Sequence, residues 1–498
     1  MADYLLGVDI GTSSCKVAVF DHAGTVIASA TAHYAVSHPA PGYAEQDPNL
    51  WWEGFCHVMK EITDMVAPSD ISAIGVAGQS WSAISVNKSG EVLFSNPIWM
   101  DCRAEEICKE MVEKVPFDEI FALCGNPVAP TYTTPKILWF AREYPEVFKQ
   151  VYKVLQSNSY FVYKLTGKFT QDISQGYGLH FFDIRNGKWD NEMAKSLGVC
   201  PDLMPELYAS SQVVGTITLE AARATGLLPG TAVIAGGLDA ACSNLGAGVS
   251  ESGQAQAQGG TAGGMSLCTE TPIAHPKLIL GNHVAKNRWL LQGGTVGGGG
   301  VIRWLKESIL GEACYDEMSR LAEQSCAGAG GLIFLPYMSG ERSPIWDRAS
   351  QGVFFGLDYS KSKKDIIRAA MEGVAFSLLH NINTAFEVNV GADSFNLVGG
   401  IANSKVWMQI LSDVTGKPFC TPSSDTGTNL GAAILAGIGI GVYRDEKEAI
   451  QRTVRIKDVY EPNVVRHEAY QVYYNTYRKI YDDLKDTMSD FSRIKHKG

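Results

Sequence analysis

Three short Gly/Thr turns in this chain follow strand-like apolar runs, and each could hold a phosphate group. They are Gly11-Thr12-Ser13-Ser14 after residues 5–10, Gly259-Gly260-Thr261 after 255–258, and Gly399-Gly400 after 395–398. Successive backbone N–H groups in such turns form a concave anion site. Two carboxylates stand near turns of this kind. Asp9 lies at the end of the first run, and Asp239 follows run 231–235 and Gly236-Gly237. A carboxylate placed after a strand and two glycines is exposed at a cleft, or else caps the helix that begins near Ala240. The common nucleotide motifs are absent from the sequence. Gly167-Lys168, Gly187-Lys188 and Gly416-Lys417 each lack the following Ser or Thr of a P-loop, and no Gly-x-Gly-x-x-Gly follows a strand.

The elements that must position these groups are read from periodicity. The opening residues predict a three-stranded meander over 5–30, and the spacing of Trp52, Phe55, Val58, Met59 and Ile62 predicts a helix over 49–66. A strand follows at 71–77, then a hairpin formed by 82–86 and 92–94 and turned by Lys88-Ser89-Gly90. Residues 101–165 read as helix-rich, and 404–414, 429–438 and 467–488 as later helices. Both halves repeat strand, Gly/Thr turn, then strand or helix. That alternation implies an α/β protein with mixed sheets, divided near residue 250 into segments 1–250 and 251–498.

Composition narrows the function. The chain has 498 residues and a net charge of −11, which disfavours nucleic-acid and anionic-membrane partners. No apolar run approaches the roughly 20 residues of a membrane span. Met1-Ala2-Asp3-Tyr4 shows no secretory signal, and the 11 scattered cysteines suggest reduced thiols, so the expected compartment is the cytoplasm. The 51 glycines are in excess, which implies backbone approaching something closely. The tail Arg493-Ile494-Lys495-His496-Lys497 reads as a solvated terminus, and Trp51-Trp52 and Phe181-Phe182 read as core.

Several longer motifs then converge. Asp9-Ile10-Gly11-Thr12-Ser13-Ser14-Cys15-Lys16 resembles the first phosphate hairpin of the FGGY family of carbohydrate kinases. Gly42-Tyr43-Ala44-Glu45-Gln46-Asp47-Pro48 leading into Trp51-Trp52 is similar to another stretch of that family, as is Gly340-Glu341-Arg342-Ser343-Pro344 with Trp346-Asp347. Gly352, Phe354, Gly356-Leu357, Asp365-Ile366 and Ala369-Ala370-Met371-Glu372 fit its C-terminal signature. The signature around Pro135-Lys136-Ile137-Leu138-Trp139-Phe140 matches except at Thr131. The resemblance runs from about residue 5 to 440.

That resemblance implies a two-domain actin-like, ribonuclease-H-like ATPase fold with an interdomain cleft. It implies ATP and Mg²⁺ as cofactors, a small sugar as substrate, and closure of the domains on the sugar. Asp239 matches the family's general base. The resemblance also implies phosphate contacts from Thr12, Ser13 and Lys16, with Lys16 alternatively an exposed strand lysine, and a second phosphate turn at Gly260 and Thr261. Gly299, Arg303, Gly400 and Asn403 would line the nucleotide, although Arg303 also reads as a helix-surface charge and Asn403 as a helix N-cap. Asp9, at the end of its strand, suits a water-mediated Mg²⁺ contact, or a turn-stabilising role. Gln79, Ser80, Trp81 and Asp101 are the expected sugar contacts, with Trp81 alternatively a core residue and Asp101 alternatively a partner of Arg103.

Substrate identity is the least determined reading. Ser80-Trp81 stands where glycerol kinases carry Arg-Glu and xylulokinases typically Met-His, yet the layout is xylulokinase-like, with Trp99-Met100-Asp101-Cys102-Arg103 downstream. The leading expectation is phosphorylation of a ketopentose such as D-xylulose. The alternatives are another ketose or polyol, or a sugar-sensing ATPase without transfer. A homodimer is one oligomeric expectation.

Overall fold

The computed structural model describes residues 3–311, 314–423 and 427–495. The first two residues and the His496-Lys497 end of the basic tail lie outside the described residues. The chain folds around two mixed sheets. The first uses β1 (Tyr4–Ile10), β2 (Ser14–Asp21), β3 (Val26–His33), β4 (Ile71–Gly78), β5 (Val213–Thr216), β6 (Ala232–Ile234) and β7 (Gly237–Leu238). The second uses β8 (Gln254–Gly259), β9 (Gly263–Thr269), β10 (Ile279–Asn282), β11 (Trp289–Thr295), β12 (Ser394–Val398), β13 (Phe419–Pro422) and β14 (Ile456–Tyr460).

The repeated theme of the sequence is a repeated topology. The first sheet runs β3-β2-β1-β4-β6-β5, with β7 also on β4. The second runs β11-β9-β8-β12-β13-β14, with β10 outside β11. Polarity matches step for step. The first three strands of each order are antiparallel, the next two joins are parallel, and the last join is antiparallel. Each sheet begins with an antiparallel pair whose turn carries one of the Gly/Thr segments.

Helix α1 (Pro48–Met65) starts at Asp47, whose side chain accepts from Asn49 N, and buries Trp51, Phe55, Val58, Met59 and Ile62. The hairpin expected over 82–94 forms as one antiparallel bridge, not as a ladder. Ile84–Val86 pairs instead with Lys153–Leu155. Its other side meets the return arm only at a Val86–Val92 bridge. Asn87 Oδ1 accepts from Ser89 N and Glu91 N, and this side-chain-capped turn replaces the ladder.

Two helices join the halves. Helix α2 (Asp239–Gly246) leaves the first sheet. After α3 (Gly299–Trp304), α4 (Lys363–Phe386) and α5 (Lys405–Thr415), helix α6 (Gly427–Gly439) returns to that sheet. Leu430, Ala432, Ala433, Ile434 and Leu435 of α6 share a buried cluster with Leu5, Ala77, Ala241 and Leu245. The approach is backbone to backbone. A Cβ on Gly7 would run into Asn429 O, one on Gly75 into Ala432 O, and one on Gly431 into Cys242 O. Asn429 Nδ2 also donates to Gly7 O at 3.0 Å and Lys16 O at 2.9 Å. Much of the glycine excess therefore serves packing.

Overpacked cores lose typically 1–3 kcal/mol. Gly75→Ala should cost about 2 kcal/mol or more, read as a lowered urea midpoint, because the opposing atom is backbone. Gly54→Ala, on α1 with Ala32 Cβ at 3.4 Å and Tyr34 Cδ1 at 3.9 Å, should be neutral or stabilising by up to about 1 kcal/mol through helix propensity.

Candidate active site

The site forms where the strand ends of the first sheet meet the turns of the second. Asp9 lies opposite Lys16 across β1–β2 and opposite Ala77 across β1–β4. Gly237 lies opposite the same Ala77 from β7. Asp9 and Gly237 are thus two strands apart, roughly 9–10 Å, and Asp239 follows at the head of α2. Leu238, not Asp239, holds the N-cap position. Asp239 is the first helical residue, with Oδ1 accepting from Ala240 N at 2.6 Å.

Both carboxylates are perturbed. Burial pushes Asp9 up to about 6, with Lys16 pulling it back. Burial pushes Asp239 up to about 7, the Asp9 charge adds to this, and the Ala240 N–H opposes it. Asp9 Oδ1 is sealed from solvent and has no hydrogen-bond partner. An unpartnered buried carboxylate oxygen, facing a lysine and a second carboxylate, fits a hydrated Mg²⁺. The short strand leading into Asp239 is held from behind. Leu238 N donates to Ser174 Oγ at 2.8 Å, and Ser174 Oγ donates to Asp172 Oδ2. Asp172 also accepts from Asn158 Nδ2 at 2.8 Å. Neither Asp172 nor Ser174 carried a sequence signal, since nothing in their spacing predicts contact with residue 238.

The second-half residues expected at the nucleotide come together. Gly260, Thr261, Gly299, Arg303, Gly400 and Asn403 all line one cavity of about 430 Å³, flanked by Tyr315, Met371 and Trp407. Arg303 Nη2 reaches Thr261 Oγ1 at 3.3 Å. A Cβ on Gly400 would meet nothing within 4 Å, and one on Gly260 only Ala262 O at 3.6 Å. Protein packing does not require these two glycines, so their bare backbone leaves a cradle that fits a nucleotide. Gly299 differs. Its N donates to Gly260 O at 2.7 Å, and Gly300 N donates to Thr261 O at 3.0 Å. A Cβ on Gly298 would lie 2.5 Å from Ala262 C, and one on Gly299 2.9 Å from Gly260 O. The run Gly297–Gly300 thus lets α3 press on the second turn.

A smaller cavity of about 230 Å³ adjoins the first half. Asp9 and Lys16 line it with Ser243, Gly399, Gly427, Thr428 and Asn429. Thr12 and Ser13 form the tip of the β1–β2 turn, where Gly11 N donates to Ser14 O at 3.0 Å. Thr12 Oγ1 accepts from Trp99 Nε1 at 2.9 Å and donates to Gln79 Oε1 at 3.4 Å. Gln79 Nε2 donates to Gln46 Oε1 at 3.0 Å.

The expected sugar contacts divide. Ser80 hydrogen-bonds Tyr177, and Tyr177 is close enough to Asp239 for that charge to add to the upward push of burial on its phenol. These three residues form one cluster. Trp81 is buried at a φ of 57° and stacks on Tyr132 at 4.2 Å, so one ring face is already covered. Its carbonyl accepts from the buried Lys136 Nζ at 2.8 Å. Asp101 is a correction. One oxygen accepts from Arg103 N and Nε, the other from Ala44 N and Arg103 Nη2. Arg103 in turn pairs with Glu45 at 2.7 Å and lies over Tyr43. With both oxygens engaged, Asp101 braces the 43–46 segment rather than offering acceptors to a hydroxyl.

Comparison with known proteins decides the family. Residues 4–246 match the N-terminal domain of the FGGY family of carbohydrate kinases, and residues 255–440 match its C-terminal domain. The chain belongs to the FGGY family. It is 31% identical to the xylulose kinase of Escherichia coli (strain K12) over 97% of this chain and 100% of that one. A gluconate kinase and a ligand-bound xylulose kinase, both from Lactobacillus acidophilus, each superpose with a TM-score of 0.92 at 26% identity, covering 98% of this chain and 99% of theirs. The protein is a carbohydrate kinase, a phosphotransferase with the two-domain actin-like, ribonuclease-H-like α/β fold. Among the described residues no helix is long and apolar enough to cross a membrane.

The raised Asp239 has a stability signature. The folded state holds its proton more tightly than the unfolded chain, so stability falls as pH rises from about 4 toward 7. In metal-free buffer, Asp239→Asn should raise Tm by a few degrees at pH 8, and the gain should vanish near pH 4. Thermal melts across that range check it.

Proposed function

We propose that this kinase transfers the γ-phosphoryl group of ATP to a hydroxyl of a ketopentose, with D-xylulose as the substrate. Asp239 carries the proposal. Burial and the Asp9 charge tune it to about 7, so near neutral pH it can both ionise and accept the hydroxyl proton as the oxygen attacks. General-base catalysis of this kind contributes typically 10²- to 10⁴-fold. Ser174 fixes the Leu238 backbone beside it, and Ser80 and Tyr177 stand at the acceptor end.

The cradle of Gly260, Thr261, Gly400 and Asn403 would hold the nucleotide, with Gly299 supporting the turn and Arg303 fixing Thr261. Thr12, Ser13 and Lys16 would meet phosphate oxygens from the first half. Asp9 would hold Mg²⁺, which when bound screens the phosphate charge. Segment 1–250 supplies the base and sugar contacts, and segment 251–498 most of the nucleotide site. Closure of the two around the sugar would exclude water as a competing acceptor. The unbridged state of all eleven cysteines supports a reducing, cytoplasmic setting.

Similarity to the xylulose kinase of Escherichia coli over almost the whole chain supports the substrate. The equal likeness to a gluconate kinase supports a second reading, an aldonate acceptor. ADP release measured with D-xylulose, gluconate and glycerol separates them. The expected order has D-xylulose first and glycerol silent, and gluconate first would select the second reading. Asp239→Asn should lose about 10²- to 10⁴-fold in kcat while binding ATP with near-unchanged affinity by calorimetry.

A further inference from the structure

One cation at the cleft has no assigned task. Arg342 belongs to the second half, yet its guanidinium carbon lies 5.7 Å from the ring centre of Trp99 in the first half. Trp99 is the residue that bonds Thr12, and Thr12 bonds Gln79, which precedes Ser80. On its other side the guanidinium rests on the end of β11. Nη2 reaches Thr295 O at 3.4 Å, and a Cβ on Gly294 would stand 2.9 Å from the same nitrogen. Gly294 is thus the room this side chain needs.

The guanidinium has five donors and, among the described residues, one long carbonyl contact. No carboxylate of the described residues pairs with it within 4 Å. Its neighbour Glu341 is engaged elsewhere, with Oε1 accepting from Val296 N at 2.6 Å and Arg342 N at 2.8 Å and Oε2 accepting from Ser377 Oγ at 3.4 Å. Those bonds fix the Arg342 backbone without satisfying its side chain. The guanidinium is half-buried, and its free donors can take acceptors that enter beside Trp99.

We propose that Arg342 is a substrate-contacting, specificity-determining residue that receives the carbonyl or carboxylate group of an acyclic sugar whose acceptor hydroxyl faces Asp239. A guanidinium fork suits groups that only accept hydrogen bonds: the carbonyl of an open-chain ketose or the carboxylate of an aldonate. The proposal rests on the reading of Asp239 as the base.

The test compares wild type, Arg342→Lys and Arg342→Met on D-xylulose, gluconate and xylitol, the last lacking a carbonyl, with KM for ATP measured alongside. For the acceptor the wild type prefers, Arg342→Met should lower kcat/KM by about 10- to 100-fold. KM for ATP should stay within about twofold, and discrimination against xylitol should shrink. Arg342→Lys should recover part of the loss. A loss confined to D-xylulose assigns the carbonyl, and one confined to gluconate assigns the carboxylate. An equal loss on all three acceptors, no loss, or a loss only in KM for ATP overturns the proposal. Melting curves show whether Arg342→Met folds, and if it does not, Arg342→Lys alone carries the comparison. A wild type that turns over no sugar defeats the catalytic reading, and this inference with it. Activity that survives Asp239→Asn but keeps the Arg342 pattern defeats only the base assignment.

Discussion

Helix α6 meets the first sheet backbone to backbone at two glycines, with its apolar side chains buried around that contact. At Gly7 and Gly75 its carbonyls occupy the space a Cβ would need, and at Gly431 it meets α2 in the same way. This contact sets the geometry of everything at the cleft. It brings the start of α6, residues 427–429, beside Asp9 and Lys16. It also fixes the crossing of α2 and α6, which carries the second half relative to the first. Asn429 bonds both Gly7 O and Lys16 O, so the β1–β2 pair cannot shift without the helix.

The chemistry works against that rigidity. Two carboxylates are drawn into a partly desolvated space where each disfavours ionisation of the other. Asp9 keeps one oxygen without a partner. Such a site weakens the protein that holds it, and the surrounding bonds confine the damage. Ser174, Asp172 and Asn158 form a fully engaged buried chain behind Leu238, and Lys136 anchors the carbonyls of Trp81 and Ile98. The strain of the site is local because its frame is over-determined.

Much of this was legible in the sequence, and the rest has physical reasons for being hidden. The meander, α1 and the strand–turn–helix units follow from local periodicity and turn chemistry, whereas the grouping of Gly299, Arg303, Gly400 and Asn403 in one cavity was legible only through the resemblance to the FGGY family. The glycines were legible only in part. Gly260 and Gly400 stand open as a ligand cradle should, but Gly7, Gly75, Gly298 and Gly431 answer to backbones far away in sequence. Local pattern has no access to such partners. Asp101 shows the same gap. A carboxylate two residues from an arginine reads equally as pocket or pair, and only the arrival of Ala44 N and the Tyr43 ring beneath Arg103 decides it. The 82–94 hairpin stays a single bridge because the ladder partner of its first arm, Lys153–Leu155, lies beyond four helices.

The α6 contact also has a consequence in time. Gly7 and Asn429 are 422 residues apart. At roughly 5–20 residues per second of synthesis, β1 emerges from the ribosome about 20–80 s before the helix that covers it. Leu5, Ala77 and Leu245 are buried against a segment that does not yet exist. The first sheet can assemble early, but one face stays apolar and open until residues 427–439 have emerged. During that interval the exposed apolar face is the part of the nascent chain most open to aggregation.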